Sequence, residues 1–188
     1  LLPVFAQEFG VRTAQASSTV TLFAIAYGIL QFFYGPLGDH YGKFRVVSWA
    51  TLGCAVGSLI VAAAPTLEVI EIGRFVSGAT AAAIVPLGMA WIGDHVPYEK
   101  RQETIARFLL GSISGLALGQ LLGGVFADTL GWRWAFVWLA ATYLIVGLLL
   151  LSRRHTVTES TARPAGRVNP LMPIKQVLST KWAWFVLA

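Results

Sequence analysis

The chain has 188 residues, of which 56% are hydrophobic and only 12% charged, and its mean hydropathy is +0.67. A typical soluble domain is about 25% charged, so this composition indicates a protein whose solvent is a lipid bilayer and argues against a soluble fold. The net charge of +5 fits nucleic-acid binding only if the basic residues share one solvated face, and the single cysteine, Cys54, excludes an internal disulfide framework or a cysteine metal site.

Five stretches are long and apolar enough to cross the hydrocarbon core as helices, which takes about 20 residues each. The five predicted spans are residues 16–38, 44–64, 69–92, 104–127 and 133–152. Residues 1–6 are interpreted as the end of an earlier span, so the chain is expected to be an excerpt of a longer protein. Five consecutive apolar runs would leave a soluble core with almost no polar surface, which favours membrane helices.

The basic residues lie mostly at one end of these spans. Eleven of the fourteen lysines and arginines lie in or beside alternate connections, while Arg12 and Arg133 lie at the other end and Arg74 within a span. Because cytoplasmic loops carry the excess of Lys and Arg, the connections 35–45 and 93–103 are predicted to be cytoplasmic. This topology accounts for the positive charge, and no nucleic-acid partner is expected.

A polar stretch rich in Arg, Ser, Thr and Pro follows the last predicted span. The composition is typical of a flexible linker between helical bundles. The predicted division is an amino-terminal transmembrane bundle at 1–152, a cytoplasmic linker at 153–180 and the start of a seventh helix at 181–188. The expected location is a multi-pass protein of the bacterial inner, cytoplasmic, membrane.

The first basic connection, residues 35–45, reads GPLGDHYGKFR. Gly42 permits a tight turn, and Asp39 is predicted either to cap the following helix or to pair with a nearby cation. Gly42 and Lys43 lack the glycine spacing and the following Ser or Thr of a phosphate loop, and His40 and His95 are not spaced as metal ligands on one helix. We expect no enzyme activity, metal or cofactor.

This connection resembles the loop signature between the second and third helices of the major facilitator superfamily. The resemblance is carried by Gly35, Asp39, Gly42, Lys43 and Arg45. His40 stands where an arginine is usual, and Phe44 interrupts the usual basic pair. Asp94 and Arg101 match the family's fourth-to-fifth loop, where an acid supports the basic residues of the first loop. These seven residues are implied to form a cytoplasmic latch that holds the two bundles together when the cavity opens outward.

The third predicted span carries a charge within the membrane, Arg74. A charge near mid-bilayer costs at least about 2.5 kcal/mol, so it usually faces a cavity or a partner. Glu71 lies three residues earlier on the same helical face and can pair with it. Residues 73–82, GRFVSGATAA, resemble the family's fourth-helix signature, whose arginine is linked to proton coupling in drug exchangers. The alternative is an arginine that snorkels outward to the interface.

The fourth predicted span repeats glycine at every fourth position in GSISGLALGQLLGG, residues 111–124. This spacing predicts a groove in which another helix approaches closely. The predicted packing residues are Gly111, Gly115, Gly119, Gly123 and Gly124. The pattern resembles the family's antiporter signature, with Gln120 in place of the usual proline. Gln120 is predicted either to line the cavity or to bond to a neighbouring helix.

An aromatic and polar stripe on the first whole span consists of Phe23, Tyr27, Gln31 and Tyr34. The stripe suits either an amphipathic solute or helix packing. Tyr27 and Gln31, together with Gln120, are the predicted residues of the substrate cavity.

The resemblance implies an all-α membrane protein, the amino-terminal six-helix bundle of a major facilitator fold with a truncated first helix. It is closest in pattern to the 12-helix drug and metabolite proton antiporters, which implies proton-coupled efflux of a small solute by alternating access. The implied partners are membrane lipid, a carboxy-terminal bundle, the solute and protons. A facilitative or sugar-type transporter and a non-transporting receptor are the alternatives on the same fold. The proton carrier is either Glu71 or a group outside these spans.

Overall fold

The computed structural model describes residues 1–153, and these residues form a bundle of helices. The helices are α1 (Leu2–Glu8), α2 (Thr13–Ala16), α3 (Ser18–Tyr41), α4 (Lys43–Ala62), α5 (Leu67–Ala81), α6 (Ile84–His95), α7 (Tyr98–Thr129) and α8 (Trp132–Arg153). Within the described part, five helical segments are long and apolar enough to span a membrane, which confirms the five predicted spans. Apart from Arg153, the predicted linker and seventh helix lie outside the described residues.

Helix α4 forms the centre of the bundle, packed against α5 and α8, and α3 packs against α5. The buried positions of α4 include three hydroxyl side chains, Ser48, Thr51 and Ser58. Each donates a hydrogen bond of 2.8 Å to the backbone carbonyl four residues earlier in the same helix. Because these bonds satisfy the hydroxyls locally, small polar residues can be buried here without a partner from another helix.

Helices α4 and α5 approach each other through glycines that the sequence analysis did not single out. A Cβ placed on Gly73 would lie 2.8 Å from the carbonyl oxygen of Gly57 and 2.7 Å from Cγ2 of Val61. A Cβ on Gly57 would lie 2.8 Å from the backbone nitrogen of Ser77. Small residues four apart, Gly57 with Gly53 and Gly73 with Ser77, were the available signal for this packing.

The third predicted span, 69–92, lies within the apolar helical segment Leu67–His95, which is broken into two helices. Helix α5 ends at Ala81 and α6 begins at Ile84, with Ala82 and Ala83 between them. Pro86 explains the break, because it has no N–H to donate to the carbonyl of Ala82 and its ring clashes with that carbonyl.

Two connections at the basic end are much shorter than predicted. Gly42 alone, with φ 90° and ψ 124°, joins α3 to α4, and only Val96 and Pro97 separate α6 from α7. The predicted connection at 93–103 was therefore too long. Helix α7 starts with polar turns that extend beyond an apolar span, and a length criterion based on apolar residues does not detect such turns.

The five glycines of α7 predicted to pack tightly have no neighbour in the described chain. Nothing lies within 4 Å of a Cβ built at any of the positions Gly111, Gly115, Gly119, Gly123 and Gly124. No residue of α7 is buried by the part of the protein that the structure describes. Residues 1–153 thus do not supply the expected partner helix, and tight packing at these glycines stays a prediction.

A polar cluster closes the end of the bundle opposite to Gly42. The Trp132 indole Nε1 and the Arg133 guanidinium donate to the two carboxylate oxygens of Glu8, and Arg133 Nη2 also donates to the Ala64 carbonyl at 3.1 Å. The bond from Trp132 lowers the pKa of Glu8, partial burial opposes this, and Arg133 lowers it further. The carboxylate thus joins the end of α1 to the start of α8.

Candidate functional site

Lys43 joins two acids from different helices at the basic end. Its ammonium Nζ lies 2.6 Å from Asp94 Oδ2 and 3.1 Å from Asp39 Oδ1. Asp39 lies in the last turn of α3, Lys43 begins α4, and Asp94 lies in the last turn of α6. Because α4 has no side-chain cap, the structure shows Asp39 paired with a cation and not capping that helix. We call these three residues the Lys43 cluster; it ties the ends of three helices together.

Arg101 supports the same region through the backbone. From the first turn of α7, its Nη2 donates to the carbonyl of Gly93 at 2.6 Å and to that of Val96 at 3.5 Å. The last carbonyls of a helix lack partners within the helix, so these bonds cap the end of α6. Arg101 therefore fixes the helix end that carries Asp94.

Two of the seven predicted latch residues lie apart from the Lys43 cluster. Arg45 is exposed on α4 and lines a cleft between α3 and α4. Gly35 lies inside α3, and nothing in the described chain is within 4 Å of a Cβ built on it. The structure thus brings together Asp39, Gly42, Lys43, Asp94 and Arg101, but not Gly35 or Arg45.

The possible pair of Glu71 with Arg74 is not formed, and the role of the two residues in proton coupling stays a prediction. The Ser18 hydroxyl of α3 donates to Glu71 Oε1. The Arg74 guanidinium carbon lies 4.3 Å from the centroid of the Phe23 ring, a cation–π contact. No salt bridge between Glu71 and Arg74 occurs in residues 1–153. Helix α3 thus supplies a different partner to each of the two charged side chains.

Arg74 is therefore an intramembrane cation packed on an aromatic ring, without a carboxylate partner in the described chain. A cation in this setting responds to any change of charge nearby, because little water screens it. The arrangement suits a group that senses protonation or a charged solute.

The three predicted cavity residues differ in their surroundings. The Tyr27 ring stacks near Phe23, with centroids 6.2 Å apart, which links it to the Arg74 site. Gln31 and Gln120 are exposed, and neither side chain forms a hydrogen bond with a residue that the structure describes. Tyr34, from the same stripe, donates to the Ala79 carbonyl at 2.9 Å and so serves packing between α3 and α5.

Ser18 was missed by the sequence analysis, and Phe23 was noted there only as part of a stripe. Their roles follow from the packing of α3 against α5, which places Ser18 at Glu71 and Phe23 at Arg74. No spacing within one helix gives this pairing.

In residues 1–153, no group of three or more His, Cys, Asp or Glu side chains is placed to hold a metal ion.

Comparison with known proteins identifies a family for the whole chain and relatives for most of it. The family model described as Major Facilitator Superfamily matches residues 1–188. Quinolone resistance protein NorB from Staphylococcus aureus strains JH9 and Newman is similar, with 26% identity over 160 residues. The match covers 85% of this chain and 35% of each relative. The chain therefore spans about a third of the length of these relatives.

Proposed function

Because the chain belongs to the Major Facilitator Superfamily, a family of transporters, we propose that the complete protein exports a small drug or metabolite in exchange for protons. The similarity to a quinolone resistance protein supports a drug-like solute. We place residues 1–152 in an amino-terminal bundle that works with a carboxy-terminal one, joined by a cytoplasmic linker at 153–180. The excess of Lys and Arg at the end that carries Gly42 supports a cytoplasmic position for that end.

The proposed mechanism is alternating access, in which two bundles rock about a site near mid-membrane. The Lys43 cluster supports this mechanism because it ties the ends of α3, α4 and α6. Joining the three helix ends in this way favours their movement as one body. The Lys43 ammonium pairs with both acids, and Asp39 is the more exposed and more distant of the two. A cation from the opposite bundle can therefore pair with Asp39 while Lys43 stays paired with Asp94.

The main support for proton exchange is the position of Arg74, which lies within a span and contacts the Phe23 ring. A positive solute or a protonated carrier nearby raises the energy of this cation, whereas a carboxylate lowers it. Glu71, held by the Ser18 hydroxyl one turn earlier on α5, is the proposed proton carrier within this chain. Loss of its charge on protonation would change the field at Arg74, which couples proton binding to solute binding.

The test uses the complete protein in inverted membrane vesicles with an acidified lumen and an internal pH indicator. Lipophilic cations and sugars are added in turn. In the wild type, a transported solute should raise the luminal pH, and Arg74→Ala should abolish this signal. Arg107→Ala is the matched control, because Arg107 is an exposed arginine of α7 that pairs only with Glu103 in the described chain.

Three results would contradict the proposal. Solutes that equilibrate without moving protons indicate a facilitative transporter, and solutes that bind without crossing indicate a receptor. A full proton signal in Arg74→Ala, at equal protein content in the vesicles, removes this arginine from the coupling step.

A further inference from the structure

A cleft of about 400 Å³ opens between α3 and α4 at the basic end of the bundle. Its walls are largely apolar and include Leu37, Tyr41, Val46 and Trp49. Arg45 is the single charged residue among the lining residues that the structure describes. The site thus combines one cation with an apolar wall, outside the Lys43 cluster and the Arg74 site.

Arg45 is not neutralised by the described protein. Lys43, two residues earlier, takes both nearby acids, Asp39 and Asp94. Arg45 forms no ion pair or side-chain hydrogen bond with any residue in 1–153. It lies in the first turn of α4, whose N-terminus has no side-chain cap, so the helix dipole adds to the positive potential there. The cleft therefore attracts an anion.

The apolar wall indicates which kind of anion fits. Trp49 follows Arg45 by one helical turn and is 55% exposed, and Tyr41 is 54% exposed. A soluble anion would contact the guanidinium and leave these rings without a partner. A phospholipid carries a negative phosphate and hydrocarbon chains in one molecule, so it can contact the guanidinium and the apolar wall at the same time. Basic pockets between membrane helices are known to bind anionic headgroups.

We propose that an anionic phospholipid of the phosphatidylglycerol type occupies this cleft. Its phosphate contacts Arg45, and one acyl chain lies along Leu37, Val46 and Trp49. The lipid then bridges α3 and α4 beside Gly42, which is their whole connection.

The experiment measures quenching of Trp49 fluorescence by brominated lipids. The complete protein is placed in phosphatidylcholine nanodiscs that contain either dibrominated phosphatidylglycerol or dibrominated phosphatidylcholine at equal fractions. The signal of Trp49→Phe is subtracted to isolate Trp49. We expect the phosphatidylglycerol to be favoured about fivefold, since one basic residue near the membrane surface contributes about 1 kcal/mol.

Arg45→Gln should reduce this preference to about one, while Arg107→Gln, which changes an exposed arginine of α7, should leave it unchanged. An equal response to both lipids overturns the proposal, and so does a preference that survives Arg45→Gln. Absence of any Trp49 quenching shows that protein covers the cleft. Loss of the preference on addition of inorganic phosphate shows a site for soluble anions. Both of these results also contradict a lipid site.

Discussion

The Lys43 cluster gives the most quantitative prediction, because the two bonds of one ammonium differ in length and burial. Lys43 is 23% exposed, Asp94 50% and Asp39 69%, and the distances are 2.6 and 3.1 Å respectively. Exposed ion pairs contribute about 0.2–1 kcal/mol. The half-covered pair with Asp94 should lie near the upper limit, at about 1 kcal/mol, and the pair with Asp39 near about 0.3 kcal/mol. Double-mutant cycles separate the two coupling energies.

The cycles combine Lys43→Met with Asp94→Asn or Asp39→Asn in the complete protein in detergent. Thermal unfolding is followed by intrinsic fluorescence at moderate salt and again at high salt. The Asp94 coupling should exceed the Asp39 coupling, and high salt should reduce the Asp39 coupling more, because that acid is more exposed. A coupling with Asp39 equal to or larger than that with Asp94 would refute this account of the cluster.

Three further predictions concern packing, pH and the intramembrane cation. Gly73→Ala should destabilise the protein by about 1–3 kcal/mol, measured by thermal unfolding, because its Cβ would meet the α4 backbone. The low pKa of Glu8, caused first by its bond from Trp132, stabilises the folded state fully above a pH of about 5. This contribution is lost as the pH falls through the lowered folded pKa, so Glu8→Gln should flatten the acid side of a stability profile. Phe23→Leu removes the ring beneath Arg74 and should lower stability by about 1 kcal/mol and weaken solute-driven proton movement in vesicles.

Each of these variants has a matched control. Gly115→Ala adds the same methyl group where nothing in the described chain lies within 4 Å, so equal destabilisation by both alanines would contradict the packing argument. Glu68→Gln is the control for Glu8→Gln, because Glu68 lies in the first turn of α5 and forms no ion pair in the described chain. This variant should keep the acid-side slope. Phe32→Leu alters a largely exposed ring and should leave proton movement intact.

The number and approximate position of the spans follow from the sequence, because the bilayer thickness fixes how many apolar residues a helix needs. Pro86 was a signal in the sequence for the helix break after Ala81, but a criterion based on the length of apolar runs does not take proline into account. Trp132 shows the opposite case. A tryptophan at the end of a span is typical of an interface anchor, yet Trp132 is only 3% exposed and packs edge-on against Phe5 at 4.8 Å.

The candidate site was predictable where its parts are close in sequence. Asp39, Gly42 and Lys43 lie within five consecutive residues, so their proximity follows from the chain. The bond from Lys43 to Asp94 links positions 51 residues apart, and it was anticipated through family resemblance and not through spacing. The contact of Arg74 with Phe23 depends on which helices pack together, which composition and periodicity within one helix do not specify.

The central claim of proton exchange is tested most directly by collapsing the gradient. Uphill export of a transported solute by the complete protein is followed in energised vesicles, and a protonophore is then added. The account predicts that uphill export stops at once and that accumulated solute flows back through the wild-type protein. Undiminished uphill export after collapse of the proton gradient would contradict it.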